Sequence, residues 1–228
     1  MRPWLALTHA GAPFQTETVD LQPGKQDLTA RDDASSDESC ARELGSRRAK
    51  GSVTGLFPVL YVGETPIHES LAICEWANEA YPAAGLWPED ALERARARAI
   101  ASEMSSGFSQ LRTHMSCQLF GRVPGFEPSP ATRREIARVF EIWSEALGRS
   151  GGPFLFGRFG IADAMYFPVR TRFRTYGIAI PEALVPYVNA LDALPATRAL
   201  EQIARTAPRI LAYDDYLKSL GGDPVAAL

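Results

Sequence analysis

The spacing of apolar and polar positions divides the chain into a mixed front part and a longer helical remainder. Pro3 suits a first helical turn. Trp4, Leu5, Leu7 and Ala10 supply an apolar face behind it, and Gly11 and Pro13 end the pattern. The run Phe14 to Leu21 carries the β-branched residues Thr16, Thr18 and Val19 and reads as a strand. A long polar stretch, Gln22 to Ser52, follows, with a short irregular helix expected at about Glu38 to Arg48. The signal then sharpens. Phe57-Pro58-Val59-Leu60-Tyr61-Val62 is an apolar strand, Gly63-Glu64 a tight turn, and Thr65-Pro66-Ile67-His68 a second strand, together a hairpin. Glu69 to Tyr81 reads as a helix with Leu71, Ile73, Cys74, Trp76 and Ala77 apolar, stopped by Pro82.

After the linker Pro82 to Pro88 no strand signal remains. Met104, Phe108, Leu111 and Met115 fall at i, i+4, i+7 and i+11, which predicts a helical stripe running through all four. Ile136, Val139, Phe140, Trp143 and Leu147 repeat in the same way, and further helices are expected over about Ile161 to Tyr176, Glu182 to Ala193 and Thr197 to Ala207. The pattern predicts two domains: an α/β unit over residues 1–82 and an all-helical unit over 88–228.

Composition narrows the class without changing this division. The chain has 228 residues, 46% hydrophobic and 22% charged, with a formal net charge of −3. No run approaches the ~20 apolar residues of a membrane span, so no integral membrane role is expected. With 24 Lys and Arg against 27 Asp and Glu, no positive field is available for nucleic acid. Cys40, Cys74 and Cys117 are odd in number and widely spaced, which fits a reducing compartment, the cytoplasm, better than a disulfide framework. His9, His68 and His114 lie far apart in no ligand spacing, and no metal site is expected. Arg94, Arg96 and Arg98 alternate with alanine and read as a solvated helix face.

Chemistry concentrates in Phe57 to Ser70. Proline inside an apolar strand cannot donate to the ladder, so Pro58 either begins the strand or turns the chain through a cis bond. A turn there frees the N–H and C=O of Val59 for pairing with an extended peptide. Glu69-Ser70 opens a helix, where backbone N–H groups and the helix dipole favour a carboxylate, and Glu69 suits an ammonium group. The plainer alternative is that Ser70 only caps the helix. Phe108, Arg112, Met115 and Phe120 are either bundle core or the wall of an adaptable pocket.

The segment F-P-V-L-x-x-G-E-x-x-I-x-E-S-x-A-I, Phe57 to Ile73, resembles the glutathione-binding signature of cytosolic glutathione transferases. Phe159-Gly160-Ile161-Ala162-Asp163-Ala164-Met165, with Pro168 beyond, resembles the buried helix-start motif of that family, and Arg2-Pro3-Trp4-Leu5-Ala6-Leu7 resembles the first helix of its bacterial members. The resemblance implies a thioredoxin-like N-terminal domain followed by an all-α C-terminal helical bundle. It implies glutathione as co-substrate, held by the Val59 backbone and by Glu69 and Ser70 at its γ-glutamyl end, with Pro58 in cis. The implied reaction is attack of the glutathione thiolate on a small hydrophobic electrophile at Phe108, Arg112 and Met115, in a homodimer with no metal. Asp163 is implied as structural.

Three positions depart from the pattern. The family's first strand, and the Ser, Tyr or Cys that activates the thiol, would precede Met1, so the chain is expected to be a late-start version of a longer protein. The alternative is a catalytically silent glutathione-binding or protein-interaction module. Leu56 stands where relatives carry a polar or basic residue, and Gly160 where they carry a Ser or Thr cap.

Overall fold

The computed structural model describes residues 1–19 and 44–228. Helix α1 (Arg2–His9) starts with proline in its first turn and buries Pro3, Leu5, Ala6 and Leu7. Residues 44–49 form a short helix, α2. The hairpin pairs β1 (Val59–Val62) with β2 (Thr65–His68) in antiparallel register, Val59 opposite His68 and Val62 opposite Thr65. Gly63 takes the left-handed φ of 59° that a two-residue hairpin loop demands. Helix α3 (Ser70–Ala80) follows, then a 3₁₀ turn at Pro82–Ala84. The strand predicted over Phe14 to Leu21 does not form in its described part. Residues 14–19 join no sheet, and among the described residues the sheet has two strands. A strand needs a neighbour for its ladder groups, and β1 does not reach this segment. Residues 20–21 and 38–43 of the two front expectations lie outside the described residues.

The rest is helical: α4 (Ala91–Ser106), α5 (Ser109–His114), α6 (Pro130–Ser150), α7 (Ile161–Thr175), α8 (Val185–Ala193), α9 (Pro195–Thr206) and α10 (Leu211–Ser219). The continuous stripe predicted from Met104 to Met115 is broken instead. α4 stops at Gly107, and Phe108 takes a left-handed φ of 58°. The break is held by α6, whose Glu135 carboxylate accepts from the N–H groups of Gln110 and Leu111 at 3.2 and 2.7 Å, satisfying donors that a new helix start exposes. Glu75 on α3 receives Arg98 of α4 at 3.0 Å, and Arg94 donates to the carbonyls of Pro88 and Glu89, so these arginines tie segments together rather than only facing water.

α7 is the axis of the molecule. All of its residues except Arg172 and Arg174 are buried, and it packs against α1, α3, α4 and α8. Trp143 of α6 sits among Tyr166, Phe173 and Tyr187 with ring centroids 5.1–6.1 Å apart. The pairs with Tyr166 and Tyr187 are edge-to-face, an arrangement that contributes about 0.5–1.5 kcal/mol per pair beyond area burial. At the start of α7, Ile161 N–H donates to Leu86 C=O at 3.0 Å. That carbonyl lies so close that a Cβ on Gly160 would meet it at 2.5 Å, so the glycine that replaces a capping side chain here is a packing requirement. Among the described residues no helix is long and apolar enough to cross a membrane. Gly160→Ala is expected to destabilise the chain by about 1–3 kcal/mol, read as a lower urea unfolding midpoint.

Candidate functional site

Two cavities meet at Phe57 and Pro58. One, of about 430 Å³, is lined by Leu7 and Ile73, by residues of the 14–19 segment, and by Pro58, Val59, Leu60 and Tyr61. The other, of about 200 Å³, is lined by Arg2, Thr54, Leu56, Phe57, Pro58, Glu69, Ser70, Ser105 and Arg112. A larger hollow of about 780 Å³ opens beside Glu89, Glu93, Arg149 and Arg158, whose charges pair with one another, and no predicted residue lines it.

The hairpin register decides what Val59 offers. A two-residue loop makes Val62 and Thr65 the hydrogen-bonded closing pair. Pairing alternates along the strands, so Val59–His68 and Tyr61–Pro66 are non-hydrogen-bonded pairs. Pro66, which has no N–H, therefore removes no ladder bond, and the N–H and C=O of Val59 point away from β2. The Phe57–Pro58 bond just before it is cis.

At the other end of the hairpin, Glu69 holds φ 72° and ψ 131°, a conformation that costs a non-glycine residue about 1–3 kcal/mol. Its side chain does not cap α3. Ile73 N–H reaches back to Glu69 C=O at 3.1 Å, and the N–H groups of the first turn, beginning at Ser70, have no acceptor among the described residues. A helix start with free donors attracts an anion, here beside an acidic side chain able to meet a cation. The structure thus brings Pro58, Glu69 and Ser70 to one cavity, with the free edge of Val59 adjoining it.

The other expected residues separate. Arg112 reaches the cavity, while Phe108 (6% exposed) and Met115 (0%) are core. The break between α4 and α5 turns these two inward: Phe108 stacks on Tyr166 at 6.4 Å. Arg2, Thr54 and Ser105 were not singled out from the sequence as cavity residues. Arg2 had a usable signal, being the lone cation at the head of an otherwise apolar helix. Burial pulls the Arg2 guanidinium down to about 10, helped by Arg112 and Arg172. Burial also lowers Arg112, again with Arg172 nearby, and Glu69 opposes that shift.

Asp163 lies away from both cavities and is fully enclosed. Its carboxylate accepts from Gly160 N–H at 2.9 Å and Leu155 N–H at 3.1 Å, which fixes the loop entering α7. Burial pushes its carboxyl up to about 7 against the pull of those donors. Among the described residues no group of three His, Cys, Asp or Glu is placed to hold a metal.

The glutathione S-transferase N-terminal domain family matches residues 1–80, and the glutathione S-transferase C-terminal domain family matches residues 129–213. The chain belongs to the glutathione S-transferase family. A glutathione transferase homologue from Burkholderia BGR1, solved with bound glutathione, is 22% identical, covers 90% of this chain and 91% of its own, and superposes with a TM-score of 0.63. Maleylacetoacetate isomerase from Anaeromyxobacter dehalogenans, solved with glutathione in its active site, is 24% identical over 87% of each chain with a TM-score of 0.57. These likenesses establish the fold: a thioredoxin-like domain joined to a helical domain. A probable maleylacetoacetate isomerase from Vibrio cholerae is 30% identical over 117 residues, a match spanning 50% of this chain and 54% of that relative.

The raised carboxyl of Asp163 gives a pH test. A buried acid that keeps its proton to about 7 in the folded chain adds stability below pH 4 that is lost as pH rises towards 7. Asp163→Asn removes this dependence and also one acceptor for the two N–H donors. The variant is expected to unfold at lower urea than the parent at pH 5, with the gap narrowing at pH 8.

Proposed function

We propose that this transferase-family chain binds glutathione in the cleft between β1 and α3 and directs its thiolate at a small electrophile. One observation carries this reading: Pro58, Glu69 and Ser70 line one cavity, beside a strand edge whose Val59 N–H and C=O are free. An extended tripeptide suits that edge. Its cysteinyl part pairs with the Val59 backbone, its γ-glutamyl carboxylate meets the N–H groups at Ser70, and its ammonium meets Glu69. In this reading residues 1–82 hold glutathione and residues 88–228 supply the opposing wall through Ser105 and Arg112, while Leu56, Phe57 and Pro58 give the electrophile an apolar side. Asp163 acts on the fold alone. Glutathione is co-substrate, no metal takes part, two copies associate, and the setting is cytoplasmic.

The names of the relatives support a glutathione-dependent transferase or isomerase. A silent glutathione-binding or protein-interaction module is the second reading, since the residues that hold glutathione in the first reading bind and orient it without supplying a group that activates its thiol.

Calorimetric titration of the full chain with glutathione tests binding. Ser70→Ala is expected to leave the backbone donors and weaken binding only a fewfold. Glu69→Gln, which removes a charge-assisted contact of about 1.5–3 kcal/mol, is expected to weaken it by about 10- to 100-fold. No heat with glutathione would overturn the reading. Binding without conjugation of an aryl halide would favour the silent module.

A further inference from the structure

We infer that Glu135 of α6 is a positioning residue for the glutathione cavity: it holds the short helix α5 in the place from which Arg112 completes the cavity wall. The inference rests on the glutathione reading for the ligand, and on the contacts of α5 for the device.

α5 has six residues, and an isolated helix shorter than about 12 residues is marginal in water. It follows the break at Phe108, whose side chain does not cap it. The donors exposed at its start are met from another element instead. Glu135 receives Gln110 N–H on one carboxylate oxygen at 3.2 Å and Leu111 N–H on the other at 2.7 Å. Bonds from backbone N–H to an ionised carboxylate are stronger than neutral ones. The far end is held from outside as well. Tyr216 Oη donates to His114 C=O at 3.0 Å, and Arg172 Nε donates to Met115 C=O at 2.6 Å.

What α5 presents to the site is Arg112. Its Nη1 donates to Ser105 C=O at 2.9 Å, and both residues line the cavity that Glu69 and Ser70 share. Glu135 does not line that cavity. The placement of Arg112 works against its own charge. Burial there and the neighbouring Arg172 both disfavour the guanidinium, and Glu69 opposes them. An α5 released from its caps returns Arg112 to water and takes away one wall. The cavity is therefore complete only while α5 is docked, and the apparent affinity for glutathione scales with the docked fraction.

The plainer account is that Glu135 stabilises the bundle and does nothing more. Calorimetric titration with glutathione of the full chain, Arg112→Gln, Glu135→Ala and the double variant separates the two. Arg112→Gln, in the wall around the γ-glutamyl end, is expected to weaken binding about tenfold. Glu135→Ala is expected to cost a similar factor, as an α5 docked about a tenth of the time raises the apparent Kd about tenfold. The double variant is expected to bind no more weakly than Arg112→Gln, because the two residues act as one. Losses that multiply overturn the proposal, and so does a Glu135→Ala chain that unfolds at lower urea yet binds glutathione as the parent does. Arg112→Gln binding at the parent's affinity overturns it too. If Glu135→Ala does not fold, Tyr216→Phe carries the same cycle from the other end of α5, with a smaller loss that must again vanish beside Arg112→Gln. A parent that gives no heat with glutathione overturns the glutathione reading and this proposal together, a result distinct from multiplied losses in a parent that binds.

Discussion

The burial of α7 is the constraint on which the other features depend. A helix enclosed on nearly every side must satisfy its polar groups internally, because no water reaches them. Its start does so through Asp163, which receives the N–H groups of Gly160 and Leu155, and through Ile161, which donates to the Leu86 carbonyl. Its far end reaches the 115–123 segment, where Arg172, Arg174 and Thr175 donate to the carbonyls of Met115, Leu119 and Gln118. The linker after the first 80 residues and the segment after α5 are both positioned by this one helix.

The candidate site inherits that positioning. Arg2 is anchored to Met165 in the second turn of α7, so the head of α1 has a defined place against the helical part. Arg112 is placed by a different route, through Glu135 of α6, which caps the start of α5 after the chain breaks from α4. Two arginines from distant parts of the sequence thereby reach one cavity as Glu69 and Ser70. Glu69 and Ser70 are placed locally, between β2 and α3. The two arginines owe their places to contacts with distant elements, Arg2 to α7 and the start of α5 to α6.

The cleft carries local costs that the surrounding packing absorbs. Glu69 sits at a positive φ, the first turn of α3 keeps its N–H groups unmet, and two guanidinium groups line the same small cavity. Each is unfavourable in isolation. Their convergence on a single cavity is the pattern expected of a site prepared for a charged ligand, which supplies the missing partners when it binds.

Much of this was legible along the chain. The hairpin, the helix after it and the long helical remainder follow from local periodicity and turn chemistry, which act over a few residues. Pro58, Val59, Glu69 and Ser70 stood out because proline within an apolar strand and an acid-serine pair opening a helix are locally anomalous. The strand expected at Phe14 to Leu21 and the unbroken stripe through Phe108 were wrong for one reason: both depend on partners distant in sequence. Residues 14–19 have β character but no ladder neighbour, and the apolar spacing from Met104 to Met115 survives as burial while α4 stops at Gly107 and Glu135 of α6 caps the start of α5. Sequence alone thus determined the elements and the chemistry that one segment can carry. Tertiary structure decided which arginines share a cavity with that segment and which apolar side chains turn away from it, because long-range contacts, not local propensity, fix those directions.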